Sequence, residues 1–113
     1  MNLKKYFFLS TFLVTLSCTT TIEDGIILSP RDGETVRGVV IISLSPPPGI
    51  VVDRVEVFIQ NVLFKTINAP GPYTCEWDTT TGEYPNGFYQ ITASVYDIDG
   101  QVTTQTIEVQ VAN

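Results

Sequence analysis

The stretch Asp53-Arg54-Val55-Glu56-Val57-Phe58-Ile59-Gln60-Asn61-Val62-Leu63-Phe64-Lys65-Thr66-Ile67 decides the fold class. Val55, Val57 and Ile59 recur at every second position, the period that buries one face of a strand. A second apolar and β-branched run begins at Val62. Only Gln60 and Asn61 separate the two, and asparagine tolerates the positive φ that a two-residue hairpin turn demands. The expected register pairs Ile59 with Val62, Val57 with Phe64, and Glu56 with Lys65. Val55, Val57, Ile59, Val62 and Phe64 then face inward, while Phe58 and Leu63 oppose each other on the outward face.

The same alternation spreads in both directions. Strands are expected over 26–29, 37–44, 53–59, 62–67, 73–77, 88–96 and 102–111, separated by turn residues at the spacing of an all-β sandwich. Ser29-Pro30-Arg31-Asp32-Gly33 closes the first strand, with proline presetting φ and glycine closing the bend. The prolines of Ser45-Pro46-Pro47-Pro48-Gly49 cannot donate to a ladder and end the second. In the last strand Ile107, Val109 and Val111 share one phase and Val102 falls out of it, so a bulge near Thr103 or Thr104 is expected. No window carries a sustained helical period with caps.

Several short runs together are similar to the bacterial Ig-like domains. They are Ser29-Pro30-Arg31-Asp32-Gly33-Glu34-Thr35-Val36-Arg37-Gly38, Pro72-Tyr73, Trp77-Asp78-Thr79, Asn86-Gly87 with Ile91, Ala93 and Asp97, and Gly100. The resemblance spans about residues 26–111 and implies a domain over 26–113 folded as a seven-stranded Ig-like Greek-key β-sandwich. Gly87-Phe88-Tyr89 resembles a tyrosine-corner segment. Gln60-Asn61 replaces the family's usual Asp-Gly turn, and the proline-rich loop is longer than its simplest form. The family has no shared catalytic or binding residues to carry over.

Residues 1–17 resemble a bacterial lipoprotein signal peptide. Lys4 and Lys5 give a cationic start, Tyr6 to Leu16 are uncharged and mostly apolar, and Thr15-Leu16-Ser17-Cys18 fits a permissive lipobox. The apolar run is nearer the 7–15 residues of a signal core than the roughly 20 of a membrane-spanning helix. The resemblance implies cleavage before Cys18 and acyl chains such as palmitate on that cysteine. It also implies a membrane-anchored place in the cell envelope, at the outer membrane or cell surface rather than the inner membrane. Residues 18–25 then form a short tether, at most roughly 25 Å long at about 3.5 Å per residue.

Charge and cysteine count narrow the function. The chain carries six basic and twelve acidic residues; without Lys4 and Lys5 the balance is four to twelve, a net charge of −8. Such a surface repels phosphate backbones, which excludes a nucleic-acid partner. With Cys18 acylated, Cys75 has no intramolecular partner, and alternation buries it beside Tyr73 and Trp77.

The chain has no histidine, so neither a Ser-His nor a Cys-His pair can form, and no phosphate-binding glycine loop is present. Enzymatic activity is not expected, and no cofactor is implied. Calcium is the one ion with a candidate site: Asp53, Asp97 and Asp99, with Glu23 and Asp24, gather at one end of the expected sandwich. The alternative for Asp97-Ile98-Asp99-Gly100 is a plain hairpin turn.

Trp77, Tyr73 and Tyr89 fall on inward phases and read as core. Phe58, Leu63, Phe88 and Tyr96, with Val102, fall on the outward phase of neighbouring strands and form a candidate interaction surface for a protein or glycan. The sequence therefore reads as a lipid-anchored envelope protein with one Ig-like domain that binds or scaffolds without chemistry of its own. The alternative is a carbohydrate-binding accessory module of a surface enzyme system.

Overall fold

The computed structural model describes residues 25–113, which form strands and turns; the expected leader over 1–17, Cys18 and residues 19–24 lie outside the described residues. Eight strands follow one another: β1 (Ile27–Ser29), β2 (Thr35–Val36), β3 (Val39–Leu44), β4 (Val52–Ile59), β5 (Val62–Asn68), β6 (Thr74–Asp78), β7 (Gly87–Asp97) and β8 (Val102–Val111). They form a three-stranded sheet β1-β3-β6 and a five-stranded sheet β2-β8-β7-β4-β5. The seven expected strands are all present. The addition is β2, two residues that run parallel to the end of β8.

The alternating residues of the two sheets meet in one core. Val40, Ile42, Leu44, Cys75 and Trp77 pack from the smaller sheet against Val55, Val57, Ile59, Ile91, Ala93, Val95, Ile107, Val109 and Val111 from the larger. Trp77 is fully buried at its centre. Its ring meets Tyr84 and Tyr89 edge-on, with centroids 5.3 and 5.6 Å away, the arrangement favoured by the ring quadrupole. Tyr73 is half-buried at the margin.

The Ser29–Gly38 segment carries the chain from one sheet to the other. Pro30 ends the pairing of β1 with β3. Asp32 then accepts the Glu108 backbone N–H at 2.9 Å, and Gly33, at φ +85°, donates to the Glu108 carbonyl at 2.7 Å. These two bonds dock the crossing against β8.

The hairpin at Gln60-Asn61 forms with both residues at positive φ, 53° and 64°. Ile59 pairs with Val62 and Phe58 with Leu63, as the alternation requires. Beyond them the register shifts: Val57 faces Lys65 and Glu56 faces Thr66, so the expected Val57–Phe64 and Glu56–Lys65 pairs do not form. The extra residue is Phe64, which turns half-buried against the core. Val62 is 67% exposed rather than inward. Five strands face only three, and β5 is the outer edge of the wider sheet.

No bulge interrupts β8. It pairs with β7 residue by residue from Gly87–Val111 to Tyr96–Val102, so Val102 lies on the outer face in normal alternation.

Candidate binding faces of the sandwich

The outer face of the five-stranded sheet presents rows of side chains set by the β4–β7–β8 register. One row holds Leu63, Phe58, Thr92 and Thr106; the row two residues along β7 holds Glu56, Ser94 and Thr104; the next holds Arg54, Tyr96 and Val102. Phe88 stands opposite Gln110, four residues from Thr92 in the other direction. Four residues of strand are about 13 Å. Phe58, Phe88 and Tyr96 therefore share one face, but in separate places.

The gaps between them are polar. Thr92 and Thr106 share a hydroxyl hydrogen bond at 2.9 Å, and Ser94 and Thr104 another at 3.0 Å. Arg54 pairs with Asp53 at 2.9 Å and Glu56 at 3.1 Å, and its guanidinium carbon lies 3.9 Å over the Tyr96 ring. The two carboxylates hold that guanidinium still more firmly protonated than usual, Glu56 first. Tyr96 is thus capped by a cation and Phe58 is half-buried, while Phe88 and Leu63 are exposed.

The smaller sheet shows apolar side chains that the alternation argument passed over. Leu28, Val39 and Ile41 are exposed, with Val39 and Ile41 beside Asp78 and Glu76 of β6. Their signal was Val39-Val40-Ile41-Ile42, an apolar run in both phases. A shallow groove of about 300 Å³ lies alongside, lined by Pro30, Glu34, Val36, Arg37, Val39 and Ile41 among others. Pairing of β1 with β3 reaches only Ser43 and Leu44, so Val39 and Ile41 have a strand neighbour on the β6 side alone.

At the end where the described chain begins, the β3–β4, β5–β6 and β7–β8 loops gather, as expected. The three candidate calcium ligands there do not converge. Asp97 Oδ1 accepts the backbone N–H groups of Asp99 at 2.8 Å and Gln101 at 3.0 Å, which makes it a turn residue. Asp53 is paired with Arg54. Among the described residues, no three acidic, histidine or cysteine side chains are placed to hold a metal ion. Cys75 is a buried free thiol whose pKa is pushed up by burial, with Lys65 acting weakly against the shift.

The segment 26–93 matches the family model described as the bacterial Ig domain. The chain belongs to the bacterial Ig domain family. Solved structures place this Ig domain among related sandwiches. It is similar to the fibronectin(III)-like modules of CbhA from Clostridium thermocellum, with TM-score 0.63 and 25% identity over 75% of this chain and 91% of that one. The endo-beta-1,4-mannanase from Thermotoga petrophila matches with TM-score 0.59 and 18% identity, over 77% of this chain and 19% of the mannanase chain. The spore cortex lytic enzyme SleM of Clostridium perfringens matches with TM-score 0.52 and 15% identity, over 73% of this chain and 29% of that one. The last two show likeness of fold alone. A search of curated proteins finds no match.

Proposed function

We propose that this chain is a lipid-anchored protein of the bacterial cell envelope whose Ig domain acts as a non-catalytic binding or scaffolding module. The observation that carries the reading is the join in the sequence: the Cys18 of a lipobox-like Thr15-Leu16-Ser17-Cys18 stands eight residues before Ile26, where the Ig domain begins. A single acyl chain binds membranes only marginally, while two or more anchor stably, so multiple acylation at Cys18 would hold the domain at the membrane. The absence of any histidine and the short loops of the sandwich favour recognition over chemistry.

Cys18→Ser tests the anchor. The wild-type protein is expected in the membrane fraction through a high-salt wash, with acyl mass on Cys18; the variant is expected in the soluble fraction or as uncleaved precursor. Equal fractionation with no lipid mass on either would sink the anchor. Phe58→Ser with Leu63→Thr tests whether the outer face of the five-stranded sheet binds. A functional face loses partner capture or self-association while the domain stays folded; loss of the cross-strand pair costs up to about 1 kcal/mol, and loss of the half-buried Phe58 ring adds to it.

A second reading, a carbohydrate-binding accessory module, is favoured by the likeness to modules and domains of CbhA and of the mannanase. It needs exposed aromatic rings in one plane. Phe58, Phe88 and Tyr96 share a face, yet Arg54 covers Tyr96, Phe58 is half-buried and Phe88 alone of the three is exposed. Retention on insoluble mannan that is lost in Phe88→Ala would favour this reading over the first.

A further inference from the structure

The two ends of the sandwich differ in chemistry. At the end where the described chain begins, the β3–β4 loop (45–51) and the β5–β6 loop (69–73) contain no charged residue. Val51 is 62% and Ile98 63% exposed, and they stand together, because Ile98 N–H donates to the Val51 carbonyl at 3.0 Å. Pro48 and Pro70 are exposed in the same two loops. Of the acidic residues at this end, Asp97 is engaged by backbone N–H groups and Asp53 by Arg54. Among the described residues at this end, Asp99 is the carboxylate without a hydrogen-bonding partner and Asp53 stays half exposed beside Arg54; Glu23 and Asp24 directly precede Gly25 in the sequence. At the other end, the β4–β5 turn is Gln60-Asn61 and the β6–β7 loop carries Glu83.

The described chain begins at the end with the two uncharged loops. The Ile26 carbonyl accepts Ser45 N–H at 2.8 Å, beside the β3–β4 loop, and Gly25 lies so close to the Gln105 side chain that a Cβ there would collide with it. Cys18 is seven residues away, a reach of at most roughly 25 Å.

We propose that this loop tip rests on the surface of the membrane that holds Cys18, with Val51 and Ile98 in the interfacial layer. The proposal rests on the anchoring reading above. A short tether converts the contact into an intramolecular event at high effective concentration, so two aliphatic side chains suffice for the anchored protein where they would not recruit a free domain. Among the described residues the tip has no unpaired cation, and its charge balance, with Asp53, Asp97 and Asp99 against Arg54, is negative. Glu23 and Asp24 in the tether add to that, so the tip suits a zwitterionic surface and is repelled by an anionic one. Resting tip-down, the domain leaves both outer sheet faces and its far end open to partners.

The test uses the full-length acylated protein in phosphatidylcholine nanodiscs. An environment-sensitive fluorophore is placed on Val51→Cys, with Asn61→Cys at the far end as the control; burial of Cys75 keeps the label off the native thiol. Blue-shifted emission is expected at position 51 and not at 61. The shift is expected to shrink with added Ile98→Ser or with phosphatidylglycerol in the disc, and to vanish in the Cys18→Ser protein mixed with vesicles. Equal emission at 51 and 61 in protein that carries acyl mass on Cys18 overturns the proposal and leaves the anchor standing. Absence of acyl mass and of membrane fractionation overturns the anchor, and the proposal with it.

Discussion

The Tyr89 hydroxyl donates to the Pro85 carbonyl at 2.6 Å, and the same ring stands edge-on to Trp77. The hydrogen bond ties the β6–β7 loop to the root of β7, and the ring seals the core beneath it. Tyr84 completes the cluster at 5.9 Å from Tyr89. This is the geometry that Gly87-Phe88-Tyr89 suggested as a sequence. Tyr89→Phe keeps the ring and removes only the bond, whose net contribution is about 0.5–1.5 kcal/mol. The denaturation midpoint is expected to fall accordingly, with folded-state Trp77 emission unchanged. A changed emission would show that the hydroxyl positions the ring.

Trp77 itself should matter far more. It is the only tryptophan, it is fully buried, and among the described residues its Nε1 is a buried polar atom without a hydrogen-bond partner. Trp77→Ala leaves a cavity and is expected to cost about 3–5 kcal/mol, a large part of the 5–15 kcal/mol of a typical domain. Trp77→Phe removes the orphaned donor together with some buried area, so its loss should be smaller. Chemical denaturation of both variants checks the order. A wild-type midpoint for Trp77→Ala would mean that the ring contributes nothing to the core.

The hairpin around Gln60-Asn61 shows where sequence reading stops. Period-two alternation located the turn, the Ile59–Val62 and Phe58–Leu63 pairs and the buried face of β4, because each depends on neighbours in the chain. The bulge at Phe64 depends on something else: β5 is the edge strand of the five-stranded sheet and pairs on one side only, and with the register shift Phe64 and Ile67 turn inward at a three-residue interval while Val62 stays in water. The β2 pairing escaped for a similar reason, since two residues carry no period. The candidate faces were legible only as phase. Alternation placed Phe58, Phe88 and Tyr96 on one side of the sheet, but the distances between them, and Arg54 lying over Tyr96, follow from inter-strand register.

Cys75 gives a pH signature. Burial raises its thiol pKa in the folded state, so over the thiol range the unfolded chain loses its proton first. Its contribution to stability is therefore intact below the ordinary thiol value of about 8.5 and is lost as pH rises through the folded value. Wild type should lose stability on the alkaline side more steeply than Cys75→Ala, both measured by urea denaturation in a Cys18→Ser background. A thiol reagent should modify the folded protein much more slowly than the denatured one. Parallel pH profiles for the two proteins would show that the thiol is not desolvated.

Asn113 closes the end of the sandwich opposite the chain entry. Its Oδ1 accepts Gly38 N–H at 2.8 Å, its Nδ2 donates to the Thr79 carbonyl at 3.0 Å, and its backbone N–H donates to Asn86 Oδ1 at 2.9 Å. Buried Thr79 donates its hydroxyl to the Gly38 carbonyl at 2.8 Å, so β3, the end of β6 and the end of β8 meet at this one side chain. Asn113→Ala removes the side-chain bonds to Gly38 N–H and to the carbonyl and hydroxyl oxygens of Thr79 in a partly solvated place and is expected to cost about 1–3 kcal/mol. Asn113→Asp keeps the acceptor for Gly38 but turns a carboxylate oxygen toward the Thr79 carbonyl. At neutral pH it should be less stable than the alanine variant. Protonation restores a donor toward Thr79, so the introduced carboxyl is expected to titrate above its ordinary value when folded, and stability should recover as pH falls through that folded value, the recovery being complete below the ordinary carboxylate value of about 3.9. Urea midpoints of the three proteins across acid and neutral pH provide the check. An aspartate variant as stable as wild type at neutral pH would show that the Thr79 contact contributes nothing.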